Sequence, residues 1–228
     1  LLDGKYRYNG REYEMPKHGF ARHSVFAIKE QSEDSMTFSL ASSDETRKCY
    51  PFEFELLIKY SVSGHTLRCT STVINKTDGE MYFSIGAHPG FNCHIGDAIE
   101  FEKDENLRTM RIDPSSILMD ETFPVELENG HTIRLTEHIF DKDALILEGL
   151  NSESLRLVSG DRTVKFTFGK APYLGIWAKP NAPYVCLEPW YGVNDSCDKK
   201  DSIAEKRGIE KLEKGETFSF DWTAELEG

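Results

Sequence analysis

Apolar and polar residues alternate at period two through most of this chain, the pattern of half-buried β-strands. Phe52, Phe54, Leu56, Ile58, Tyr60 and Val62 share one face of an extended segment. A turn at Ser63-Gly64 predicts a hairpin that sets Tyr60 against Leu67, Ile58 against Cys69 and Phe54 against Val73, keeping the apolar face intact. Earlier, Asn9-Gly10 separates Lys5-Tyr6-Arg7-Tyr8 from Arg11-Glu12-Tyr13-Glu14 and predicts a two-residue hairpin. Its register pairs Arg7 with Glu12, Lys5 with Glu14 and Tyr6 with Tyr13, all favourable cross-strand neighbours. Residues 164–168 and the trio Phe218, Phe220 and Trp222 repeat the strand pattern. A two-residue turn at Asn129-Gly130 would oppose Ile133 to Glu126, which predicts a bulge or longer loop there. Helical periodicity is confined to a polar stretch at 199–207. Short strands between turn signals, without intervening helices, predict an all-β antiparallel sandwich or barrel, with residues 1–228 as one domain.

Composition narrows the partners. With 39% apolar and 11% aromatic residues, 228 positions can bury a sizeable core, which excludes a disordered chain. The formal net charge of -12 argues against nucleic acid, whose phosphates demand a basic face. No apolar run reaches the ~18 residues that a membrane helix needs, so no membrane partner is expected. Five cysteines, with no CxxC pair, read as free thiols in a reducing compartment, which points to the cytoplasm.

Three segments interrupt the alternation with residues that strands seldom need: Lys17-His18-Gly19-Phe20-Ala21-Arg22, Gly86-Ala87-His88-Pro89-Gly90-Phe91-Asn92 and Cys186-Leu187-Glu188-Pro189-Trp190-Tyr191-Gly192. Glu188 lies between Leu187 and Pro189-Trp190, where poor solvation would raise its pKa toward neutrality and suit it to proton transfer. The alternative is a structural carboxylate held by a backbone amide or an arginine. His88 precedes a proline, which holds it extended at a strand end, and an imidazole there can act as an acid near pH 7. A hydrogen-bonded structural histidine is the competing reading, and it applies to His18 with more force. His88 and His94 match no familiar zinc spacing, so no metal is expected. Trp190-Tyr191 offers a flat platform on which a sugar ring could stack, although large rings more often fill cores. Nucleophilic catalysis finds little support, with no GxSxG and no convincing Cys-His arrangement.

In this order, the three segments resemble the aldose 1-epimerase (galactose mutarotase-like) superfamily, most closely its bacterial LacX-type branch. The similarity extends from Leu1 to the Phe218-Ser219-Phe220-Asp221-Trp222 strand. It implies an antiparallel β-supersandwich with an open sugar-binding cleft. It also implies that Glu188 of Leu-Glu-Pro-Trp is the general base and His88 of Ala-His-Pro-Gly-Phe-Asn the general acid. His18 would contact the sugar, and Asp143 would bind hydroxyls, with Asp141 a rival in register. Beside these, the residues themselves nominate Trp190 as a stacking face and Arg22 as a charge partner for the substrate. The family's substrate-binding arginine, in a Gly-Arg pair before the first hairpin, has no counterpart here. Sequence preceding Leu1 is therefore expected, since a sheet lacking those strands would expose an edge.

The resemblance implies interconversion of α and β anomers of a hexose without cofactor or metal. Acid and base would flank the hemiacetal on opposite sides, with the imidazole near its ordinary pKa and the carboxylate raised. A second reading is a non-catalytic carbohydrate-binding or regulatory module on the same fold. A third, a glycosidase using Asp143 and Glu188, leaves His88 unemployed. A phosphorylated sugar would call on Arg22, Lys17 and Lys179, which the sequence does not bring together.

Overall fold

The computed structural model describes residues 1–180, 182–198 and 202–227. Its strands assemble into two large antiparallel sheets. The nine-stranded sheet runs, edge to edge, Thr132–Arg134, Ala98–Phe101, Ser154–Ser159, Arg162–Thr167, Thr217–Glu227, Thr66–Asn75, Phe54–Ser63, Ser35–Ala41 and Ala27–Gln31. The seven-stranded sheet runs Leu118–Pro124, Arg108–Ile112, Leu145–Glu148, Tyr173–Trp177, Tyr184–Tyr191 and Ile85–Gly86, with Gly90–Asn92 also paired to Tyr184–Tyr191.

Period-two alternation explains how the sheets meet. Ile99, Leu155, Leu157 and Phe166 from the first sheet pack with Leu147, Leu174, Ile176, Val185 and Leu187 from the second, all essentially inaccessible. Phe166 is fully buried against Phe91, Phe168 and Trp222. Truncating it to alanine should cost about 3–5 kcal/mol through lost burial and the cavity left behind. A urea unfolding midpoint unchanged in Phe166→Ala would contradict that placement. A second apolar cluster joins Tyr6, Tyr13, Tyr50, Phe52, Phe54, Met81 and Phe83, seating the N-terminal hairpin on the sandwich.

That hairpin has the register expected from Asn9-Gly10: Lys5 faces Glu14, Tyr6 faces Tyr13 and Arg7 faces Glu12. The Tyr6 and Tyr13 rings stack 5.4 Å apart. The second hairpin corrects the sequence reading. Ser63 pairs with Thr66, so Tyr60 faces Cys69, Ile58 faces Ser71 and Phe54 faces Asn75. The turn centres on Gly64-His65, with Gly64 at φ 56°, because a glycine is best used at the first central position of a tight hairpin turn. A two-residue slip keeps every side chain on its original face, so the apolar pattern could not distinguish the registers. At Asn129-Gly130, Glu128 bridges Thr132, a loop longer than two residues as the pattern demanded.

Two helical features also differ from expectation. A helix at Asp44–Cys49 begins with a reciprocal cap between Ser43 and Thr46. In the polar 199–207 stretch, residues 199–201 lie outside the described residues, and Ile203–Glu205 forms only a short 3-10 turn. Among the described residues, no helix is long and apolar enough to cross a membrane. All five cysteines are free thiols.

Candidate active site

Tyr184–Tyr191 carries the centre of the site. Val185 and Leu187 point into the inter-sheet core, so Cys186, Glu188 and Trp190 share the opposite face. On the neighbouring chain segment, Gly86 pairs with Trp190 and Gly90 with Cys186. Both pairs obey one register, which places His88 directly opposite Glu188. The Ala87-His88-Pro89 linker remains tied to the strand by Ala87 N–H donating to the Pro189 carbonyl (3.0 Å) and Leu187 N–H donating to the Pro89 carbonyl (3.1 Å). Pro89, lacking an N–H, interrupts the ladder there.

The result is close contact. His88 Nδ1 lies 2.7 Å from a Glu188 carboxylate oxygen, and that same oxygen accepts the Trp190 Nε1 hydrogen at 3.2 Å. Glu188 is buried, whereas the His88 side chain is 60% exposed. One partner is therefore fixed in protein and the other faces solvent. On its far side, His88 Nε2 lies 3.5 Å from Cys186 Sγ. The Cys186 sulfur and the Glu188 carboxylate together push the imidazole up to about 10, against its partial desolvation. The expectation of an imidazole near its ordinary value is thus overturned by these two neighbours. The two groups meet because cross-strand partners face each other at one register position.

Trp190 lies across the sheet because its neighbours lack side chains. A Cβ on Gly175 would fall 2.5 Å from the indole, and one on Gly86 2.7 Å. Alanine at Gly175 should displace the ring and the hydrogen bond it gives Glu188. Altered tryptophan fluorescence is expected, with a loss on the order of tenfold to a hundredfold in any turnover that depends on Glu188, the scale of small misplacements. Wild-type turnover with unchanged fluorescence would show that the ring has room to spare.

The other expected residues divide. His18 joins the site electrostatically: burial and the charges of Lys17, Arg22 and His88 push its imidazole down, while Glu188 opposes them. Its backbone is left-handed (φ 67°), a conformation unusual for a non-glycine residue and often stored at functional positions. Arg22 acts on His18 by charge, and Lys17 Nζ donates to Ser116 Oγ at 2.9 Å. Asp143 precedes Leu145–Glu148 and lies toward the end of the sheet where Trp177 pairs with Cys186. Its carboxylate accepts the Ala144 N–H at 2.7 Å, and its charge acts on Arg111. Asp141, its rival, is held by His138 at 2.9 Å.

Tyr191 requires correction as half of a stacking platform. Adjacent strand residues point to opposite faces, and Tyr191 packs on Phe218 and Phe220 in the core. Trp177 takes a place beside the site instead, its ring 6.1 Å from that of His88. Cys186 was the residue that sequence reasoning missed. It stands two positions before Glu188 and so shares its face, but its contact with His88 depends on a strand 98 residues away.

Two antiparallel sheets, with a carboxylate–imidazole pair on the face of one that turns away from their shared core, define a galactose mutarotase-like β-sandwich. A galactose mutarotase related enzyme from Lactobacillus acidophilus superposes with a TM-score of 0.91 at 28% identity, over 99% of this chain and 79% of that one. A galactose mutarotase-like protein from Lactobacillus casei gives 0.91 at 26% identity, over 99% and 81%. Residues 2–222 match the Aldose 1-epimerase family model, and the chain belongs to that family, in its LacX-type branch. The plasmid-borne Protein LacX of Lactococcus lactis is 31% identical over 209 residues, 86% of this chain and 70% of the relative. These similarities support a sugar-epimerase-like function.

Proposed function

We propose that the protein interconverts the α and β anomers of an aldose by general acid–base ring opening. The observation that carries this reading is the 2.7 Å contact between His88 Nδ1 and Glu188. The anomeric hydroxyl and the ring oxygen of a pyranose are bonded to the same carbon. An acid and a base that touch each other can therefore each reach one of them. In this mechanism the hydroxyl displaces His88 from the Glu188 carboxylate. Glu188 removes the hydroxyl proton while His88 protonates the ring oxygen, and the C1–O bond to the ring oxygen breaks. Rotation about C1–C2 presents the other aldehyde face, and the proton transfers reverse. The open face of the sheet, with Trp190 and Trp177 beside the pair, supplies flat apolar surface for the sugar.

Displacing His88 from its carboxylate also removes part of what holds its proton, so the imidazolium becomes a stronger acid once sugar is bound. The sign follows from the raised value. His88 is protonated through neutral pH, and the acid form is lost only as pH rises toward about 10 in the free protein. The alkaline limb of kcat/KM is expected near that pH, and that of kcat below it, because the two report free and sugar-bound enzyme. Polarimetric rates across pH, in chelator-treated buffer and corrected for the spontaneous reaction, test this. An alkaline limb of kcat/KM near the ordinary histidine value of ~6.5 would contradict it.

Phosphorylated sugars are favoured as a second substrate class by two observations. Lys17 and Arg22 both act on His18, itself coupled to the acid–base pair, on a chain of net charge -12. In addition, a putative glucose-6-phosphate 1-epimerase of Salmonella typhimurium is 36% identical over 87 residues, 36% of this chain and 27% of its own. Parallel assays with glucose and glucose 6-phosphate distinguish the classes. A non-catalytic binding module would instead give calorimetric sugar binding without accelerated mutarotation.

A further inference from the structure

We infer that His88, Cys186 and Glu188 form a binding site for a divalent cation of the zinc type. One donor atom from each residue lies within 4.8 Å of the other two. Their chemistry is that of a three-ligand zinc centre: a sulfur, an imidazole nitrogen and a carboxylate oxygen, with a fourth position open. Sequence spacing hid this set because His88 comes from a different part of the chain. The strand geometry assembles it, since Cys186 and Glu188 alternate on one face and His88 stands opposite Glu188.

Burial favours the assignment. Cys186 and Glu188 are 3% and 5% exposed, so two ligands are already fixed and partly desolvated, while the exposed His88 lets a cation in from solvent. Trp190 Nε1 donates to the Glu188 carboxylate, as outer partners do around metal ligands. Zinc bond lengths of ~2.0–2.3 Å require donors about 3.3–3.8 Å apart, so one imidazole nitrogen must move to stand at that spacing from both the sulfur and the carboxylate, which it now meets at 3.5 Å through Nε2 and 2.7 Å through Nδ1. Rotation of the exposed imidazole supplies that movement. Binding releases the thiol proton and any imidazole proton to solvent, and the cation remains divalent throughout.

Cation binding stands apart from the sugar chemistry. Only its consequence, that a bound cation occupies the acid and the base and arrests turnover, rests on the proposed function. Cobalt(II) is a suitable probe, because coordination by a thiolate gives a near-ultraviolet charge-transfer band and a tetrahedral site gives strong visible bands. Titrations should use the full chain carrying Cys197→Ser, since Cys197 Sγ lies 3.5 Å from Asp120 and offers a competing thiol. One equivalent of cobalt with both bands, displaced by zinc, is expected. Adding Cys186→Ser should abolish the thiolate band, and His88→Asn and Glu188→Gln should each weaken binding at least ~10-fold. Circular dichroism would confirm that each variant is folded. Absence of the bands at excess cobalt, their persistence in folded Cys186→Ser, or undiminished affinity in both His88→Asn and Glu188→Gln would overturn the site. Cobalt bands in a protein without mutarotase activity would sustain this inference while removing the proposed function.

Discussion

Replacing Glu188 by glutamine is expected to lower catalysed mutarotation roughly a hundredfold or more, the usual scale for loss of a general base. The amide matches the carboxylate in size and can still accept the Trp190 Nε1 hydrogen, so the strand and the indole should stay in place. What disappears is the proton acceptor. Polarimetry on freshly dissolved α-glucose or α-galactose reads the change directly, and calorimetric sugar binding separates lost chemistry from a lost site. Retained sugar affinity with a collapsed rate is the expected pattern. A rate within a few-fold of wild type would remove Glu188 from the chemistry.

His88→Asn should lose a comparable factor by a different route. The imidazole is the group in contact with Glu188 that faces solvent, and asparagine can hydrogen-bond to the carboxylate but cannot deliver a proton to a ring oxygen. Because the His88 side chain is largely exposed, its removal should leave the core undisturbed and the unfolding midpoint close to wild type. A small rate effect would mean that water or another residue, His18 foremost, protonates the ring oxygen. A large fall in the midpoint would mark His88 as structural.

Much of this architecture is legible in the amino-acid sequence, for reasons that differ by element. The Asn9-Gly10 hairpin is legible because that turn leaves one register, with opposite charges and two tyrosines paired across it. The 63–66 hairpin was readable only to within a slip of two, since period-two alternation is blind to such a slip and the glycine decides it. The helix at Asp44–Cys49 has no buried residue and hence no apolar stripe to announce it; its signal is the Ser43–Thr46 cap. At the site, Glu188 and His88 stood out because each interrupts an apolar run. Their direct contact is not legible there, because register across distant strands is not written in either segment alone. Cys186 looked like one more small buried residue until the strand pairing placed His88 beside it.

Trp190 and His18 both act on the His88–Glu188 pair, one by hydrogen bond and one by charge. Trp190 rests over Gly86 and Gly175 and hydrogen-bonds to the base, whereas His18 is held in a left-handed turn among cationic neighbours. Asp143 retains a geometric claim only, at the sheet end nearest Trp177.

A crystal of the protein soaked with galactose or glucose tests the central claim most directly. The account predicts a pyranose on the open face of the seven-stranded sheet, its anomeric oxygen within ~3.2 Å of the Glu188 carboxylate and its ring oxygen within the same reach of His88. A sugar seated elsewhere, or one whose anomeric carbon points away from that pair while both side chains keep their mutual hydrogen bond, would contradict it.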